Sequence, residues 1–181
     1  MTLIDIGPGA DTGGNGYSWG GPGTLGSTTN PANATGTLTA GSVWATVDIT
    51  GMKLGTFYGS GADWTCRGAA SLGSIAAGSK QTVTGLSFAV ATNDVLLQYH
   101  ATGNVAVTYP TAGALLNSAD TVDHCVPSDY HLYTNPGYND WGSIYATGTD
   151  VIPPTVIRNK FLSYRRERIR GMVFRKRLLL K

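Results

Sequence analysis

Charge is scarce in this chain, and glutamate is almost missing. Only 13% of the 181 residues are Asp, Glu, Lys or Arg, against roughly 25% in an ordinary soluble domain. The surface must then be built from Thr, Ser, Asn and Gly. Such a surface has little charge to keep free copies apart, so either the free monomer is short-lived or much of the surface lies against neighbours. Because the sole Glu is Glu167, paired-carboxylate chemistry such as glycoside hydrolysis would fall to aspartates alone. Two cysteines, Cys66 and Cys125, are too few for a disulfide scaffold and lack metal-ligand spacing. They read as two buried thiols, with a single bridge as the alternative. No apolar run approaches the roughly 20 residues that span a bilayer, so no membrane partner is expected. The first 20 residues are interrupted by Asp5, Pro8 and Asp11, which is unlike a signal peptide, and export by the general route is not expected. No G-x-S-x-G elbow, H-E-x-x-H or P-loop occurs.

The little charge there is falls into two blocks of opposite sign. Residues 158–181 carry ten Lys and Arg against the single acid Glu167, a net of +9. The preceding residues carry Lys53, Arg67 and Lys80 against ten aspartates, a net of −7. A whole-chain pI near 8.6 hides this division. A weakly charged acidic body with a basic arm points to a partner for the arm.

From residue 36 to residue 110, short runs rich in Thr, Val and aromatics alternate with Gly, Asn and Asp clusters, the pattern of antiparallel strands and turns. Strands are predicted over 35–39, 42–47, 53–58, 65–69, 81–90, 95–100 and 105–109, with another at 143–147. Turns are expected at Thr50-Gly51, Gly59-Ser60-Gly61, Ala77-Gly78-Ser79, Thr92-Asn93-Asp94 and Thr102-Gly103-Asn104. In 81–90, Leu86, Phe88 and Val90 should face inward, opposite Val83, Gly85, Ser87 and Ala89. A turn every ten residues or so argues against alternating βα units and for an all-β, antiparallel β-sandwich of jelly-roll type. Residues 1–152 form the body, within which 1–34 reads as a Gly-rich loop region pinned by Trp19. Pro153-Pro154 ends regular pairing, and residues 153–181 form a basic, partly helical arm.

Three places could carry chemistry. Gly21-Pro22-Gly23-Thr24-Leu25-Gly26 has the letters of a dinucleotide-binding pattern but no strand–turn–helix setting, and chance explains it in so Gly-rich a chain. Ser118 to Cys125, with Asp120, Asp123 and His124, offers a nucleophile, a base and metal ligands in one loop. Aspartates that satisfy turn amides are the simpler reading, and no catalytic residue, cofactor or metal is expected. Tyr130, Tyr133, Tyr138 and Trp141, with Trp19 or Trp64, would suit stacking on sugar rings; the simpler reading is that they plug one end of the core.

The arm is the most specific signal. Arg158, Lys160, Arg165, Arg166, Arg168, Arg170, Arg175, Lys176 and Arg177 are interleaved with Phe161, Leu162, Ile169 and Phe174. A purely electrostatic nucleic-acid tether would not need so many large apolar residues. The mixture predicts docking on another chain, with Arg on carboxylates and the apolar side chains in pockets.

Asn30-Pro31-Ala32-Asn33-Ala34-Thr35-Gly36-Thr37-Leu38, Val43-Trp44-Ala45, Gly55-Thr56-Phe57-Tyr58, and Ala77-Gly78-Ser79-Lys80-Gln81-Thr82 through Gly85-Leu86 together resemble a β-sandwich module of uncharacterised proteins from tailed phages and their prophages. The resemblance runs over residues 2–149 and implies a virion setting. The expected function is therefore a non-enzymatic virion structural protein: a capsid decoration or other surface component, homo-oligomeric, anchored by its arm to an acidic surface of a capsid or tail subunit. The alternatives are a glycan-binding tail-fibre module and an internal capsid protein whose arm contacts nucleic acid.

Overall fold

The computed structural model describes residues 2–10, 17–108, 115–134 and 141–150, all within the first of the two units into which the chain divides, Met1–Val151. The side chains of Tyr17, Thr108 and Trp141 lie outside this description, as do Tyr138 and every arm residue from Arg158 to Lys181.

The described chain is all-β, without helix. Its strands are β1 (Leu3–Gly9), β2 (Tyr17–Gly20), β3 (Gly23–Ser27), β4 (Gly36–Ser60), β5 (Asp63–Ile75), β6 (Lys80–Val90), β7 (Val95–His100), β8 (Thr102–Thr108), β9 (Leu115–Asn117), β10 (Tyr130–Leu132), β11 (Trp141–Gly142) and β12 (Ile144–Asp150). All their ladders are antiparallel and join into one curled sheet.

Strand β4 organises it. Its first half pairs with β12 on one side and β6 on the other, its middle meets β8, and its second half lies between β5 and β7. The composition predicts three strands here, broken by a turn at Thr50-Gly51. The structure instead runs one 25-residue strand through them. Gly51 takes φ +65°, a conformation open to glycine at little cost. It sits where β4 gains one residue on β5, between the pairs Ile49↔Ile75 and Met52↔Gly73. The local signal for a turn was thus a bulge, which bends a strand without ending it.

A second bulge corrects the face assignment in β6. Leu86, Phe88 and Val90 pack on the core as expected, but so does Val83, from the other phase of the alternation. Gly85, at φ +76°, lies in the register shift between Leu38↔Phe88 and Ala40↔Thr84. The irregularity changes which parity faces inward. The segment 1–34, predicted as a loop, supplies β1, β2 and β3. Gly7 and Gly26 sit where neighbouring strands pass closely: a Cβ on Gly7 would meet the backbone of Ile144, and one on Gly26 that of Leu96 and Leu97. The dinucleotide-like letters end in β3, hydrogen-bonded between β7 and β9.

Two apolar clusters lie on opposite faces of β7. Leu96 joins Ile4, Leu38, Leu54, Phe88, Val105 and Ile144 in the larger one. Val95 and Leu97 join Phe57, Trp64, Cys66, Leu116, Cys125 and Tyr133 in the other. Burial on both faces explains why β7 reads as the nearly continuous apolar run Val-Leu-Leu. The start of β7 is tied down by Asp94, 2% exposed, which accepts from Arg67 Nε at 2.6 Å, Arg67 Nη2 at 3.1 Å and the Ala91 amide at 2.8 Å. The same Arg67 guanidinium lies 4.6 Å over the Tyr58 ring.

Phe57→Ala empties the centre of the second cluster and is expected to cost about 3–5 kcal/mol in urea unfolding. His100, fully buried at the end of β7, has its pKa lowered by burial, against a smaller upward pull from the Trp19 and Gly103 backbone. Its ring stays neutral when folded but takes a proton once unfolded, near pH 6.5. Its contribution is therefore complete above that pH and declines below it, by at most about 1.4 kcal/mol per unit for one proton. Urea midpoints measured between about pH 7 and 5 should fall, and less steeply in His100→Gln.

Candidate functional site

The segment from Leu115 to Thr134 starts in β9, paired with β3, runs on to β10, paired with β5, and adds Leu116, Cys125 and Tyr133 to the second apolar cluster. Its backbone is held at several points. Thr24 on β3 exchanges bonds with Ser118: the Ser118 amide donates to Thr24 O at 3.0 Å, and the Thr24 amide donates to Ser118 Oγ at 3.3 Å. The Thr24 hydroxyl donates to Val122 O at 3.0 Å and accepts from the His124 amide at 2.9 Å. On β5, the Cys66 amide donates to Asp129 O, and the Ser128 amide to Cys66 O, both at 2.8 Å. Lys53 on β4 pairs with Asp123, and this hydrogen bond raises the lysine pKa against the opposing effect of burial.

These restraints gather polar groups into one cluster. His124, buried, has Nδ1 2.7 Å from Asp129 Oδ2 and Nε2 3.1 Å from Asp120 Oδ2. His131, on β10, stacks on it with ring centroids 3.8 Å apart and planes at 26°. His131 Nε2 donates to the Ser118 carbonyl at 2.9 Å and stands 3.9 Å from Asp120 Oδ2. Tyr133 meets His131 edge-on at 5.0 Å and Phe57 at 5.9 Å. Burial pushes the Asp120 pKa up, but hydrogen bonds from His124, the Val122 amide and Ser118 outweigh it, and the carboxyl ends below its usual range. Ligand atoms of Asp120, His124 and His131 all lie within 4.8 Å of one another.

The sequence places Asp120 and His124 in one candidate loop, and the structure keeps them together. It adds His131 and Asp129, which sequence reasoning did not join to them. No periodicity marks either residue, because β10 is brought into place only by pairing with β5 through Tyr130↔Thr65 and His131↔Trp64. Asp123 turns away to Lys53 and caps the Cys125 amide at 3.0 Å.

The nucleophile candidates of this loop have other partners. The Ser118 hydroxyl is engaged with Thr24 N and Asp120 O, and the imidazole of His131 meets the carbonyl of Ser118. Cys125 is 2% exposed, and burial drives its pKa well above the usual thiol value. Cys66 is pushed up to about 12, first by burial and then by the Asp129 carboxylate. Both thiols are free. The aromatic candidates separate as well. Tyr130 is exposed on β10 with its hydroxyl on the Asp63 carboxylate. Tyr133, 2% exposed, belongs to the core and presents no ring face to solvent. Trp64 is buried and donates through Nε1 to Gly61 O at 3.0 Å, while Trp19 is partly exposed on β2. Tyr138, the Trp141 side chain and the arm candidates lie outside the described residues.

Comparison with protein-family models, with curated proteins and with solved structures finds no match.

With both thiols protonated at neutral pH, the native protein should resist Ellman's reagent over hours and react at both cysteines once unfolded in urea. Rapid modification of the native state would contradict the burial of Cys66 and Cys125.

Proposed function

We propose that this chain is a non-enzymatic structural protein of a tailed-phage virion, a capsid decoration protein or another surface component, held on the particle by its basic arm. The observation that carries the reading is the division of charge: −7 over the residues before 158 and +9 from there to the end. Oppositely charged patches steer assembly and set its register. On this reading the arm of one copy finds carboxylates on a neighbouring capsid or tail subunit, and an acidic body of the same kind is itself a suitable neighbour, which favours a homo-oligomer. Arg supplies paired bonds to carboxylates, and Phe161, Leu162, Ile169 and Phe174 supply the burial that offsets the entropy lost when an arm becomes ordered.

Features of the body agree with a scaffolding role. The curled sheet would close as a two-layered sandwich of jelly-roll type around the larger cluster; Phe88 on β6 and Leu96 on β7 pack in that cluster although β6 and β7 share no ladder. Tyr130 and Leu132 alternate outward along β10, 55% and 56% exposed. Together they supply apolar contact area of the kind that interfaces use.

Particles assembled with a chain ending at Ile157 should lose this protein from the virion, while the thermal transition of the body stays where it was. Normal occupancy by the shortened chain would overturn the proposal. Retention that follows a steep inverse salt dependence and tracks packaged DNA would favour an internal, nucleic-acid-facing protein instead.

A further inference from the structure

We propose that Asp120, His124 and His131 bind a divalent transition-metal ion, Zn²⁺ being the one that two imidazoles and a carboxylate suit, and that the ion clasps the 118–129 segment to strand β10. The donor set comes first. Neutral imidazole and carboxylate are regular zinc ligands at about 2.0–2.2 Å, so donors sharing one ion stand no more than about 4 Å apart. The ligand atoms here already lie within 4.8 Å of one another without an ion to draw them in.

The second argument is a count of protons. His124 has a carboxylate at each ring nitrogen, Asp129 at 2.7 Å and Asp120 at 3.1 Å. A neutral imidazole has one N–H. With Nδ1–H given to Asp129, the bond from Nε2 to Asp120 needs a second proton on the ring, and a cation between Nε2 and the Asp120 oxygens takes that proton's place. The Asp129–His124 contact is also the outer-shell bond that ligating histidines usually make: it fixes the ring, selects the Nε2 lone pair for the ion and raises its basicity. Asp120 and His124 thus aim two donors at one point from a backbone already held by Thr24 and Cys66.

His131 completes the set from another element. Its Nε2 is 3.9 Å from Asp120 Oδ2 and now donates to the Ser118 carbonyl. To ligate, the ring gives up that bond, carries its proton on Nδ1 and turns out of its stack on His124, so that Nε2 meets the ion. Side-chain exposures of 37% for Asp120 and 21% for His131 leave a path from solvent, and water fills the remaining position. With two ligands on the loop and one on β10, the ion adds a cross-link to a segment otherwise held by hydrogen bonds and the apolar cluster.

The test titrates the full-length protein, freed of metal by chelation, with Zn²⁺. One ion should bind per chain, and the thermal midpoint should rise by about 5–10 °C at a hundredfold excess of free ion over Kd. Asp120→Asn and His131→Gln, both at partly exposed positions, should each abolish most of that rise. Imidazole NMR of the unsubstituted protein gives a readout that needs no variant. Zn²⁺ should move the signals of His124 and His131 and leave buried His100 in place, and Co²⁺ should give visible bands without thiolate charge transfer. Absence of stoichiometric binding, a rise unchanged in both variants, unmoved His124 and His131 signals, or a thiolate band pointing to Cys66 and Cys125 would each overturn the proposal.

Discussion

One strand must satisfy neighbours in two parts of the sheet at once, and the rest of the structure follows from how it does so. β4 is hydrogen-bonded to β5, β6, β7, β8 and β12. A flat 25-residue strand could not serve all five, because a twisted sheet carries successive partners away from one another. The register shifts between Leu38 and Ala40, and again between Ala45 and Lys53, let β4 bend from one set of partners to the next. The low charge and high glycine content fit this plan: backbones that pass closely leave little room for long charged side chains.

The same geometry produces a second core. Because β7 lies beside the second half of β4 and is covered on both faces, its outward residues Val95 and Leu97 need a lid, and the chain supplies one from Leu115 to Thr134. Tyr133, Cys125 and Leu116 cover the sheet, and the polar side chains between them in sequence are left near the rim. The histidine cluster is therefore a product of the lid: Ser118, Asp120, His124 and Asp129 are placed by backbone bonds to Thr24 and Cys66, and His131 by its place on β10. Asp120 and His124 are held in place in this way, so a ligand that used them would lose little of their conformational entropy on binding, whereas His131 must turn to join them.

On the proposed reading, electrostatics and packing divide the labour between the two parts of the chain. The body has few charges, and two of its described cations, Arg67 and Lys53, are paired within it, to Asp94 and Asp123. The rest of the body's charge is mostly aspartate, to which an arm bearing ten cations is complementary. Affinity between such parts would be weakened by salt where the contacts are exposed and kept where the apolar residues of the arm are buried.

Much of the architecture was legible in local sequence, because alternation and turn chemistry act over a few residues. The all-β class, β7 and β6 could be read almost to the residue, and the two free thiols were recognisable as buried. Gly51 and Gly85 show where local reading ends. Gly51 has the look of a turn and Gly85 that of an ordinary strand residue, yet whether a glycine at positive φ makes a turn or a bulge depends on whether a partner strand continues beyond it. The same limit hid β1, β2 and β3, whose composition suits a loop until strands elsewhere in the chain offer them ladders. His131 met His124 and Asp120, and Tyr133 turned inward, only because β10 found β5. The sequence by itself determined the kind of element and the division of charge. Only tertiary pairing decided which side chains meet, because the contacts that join them span distances along the chain that no local preference encodes.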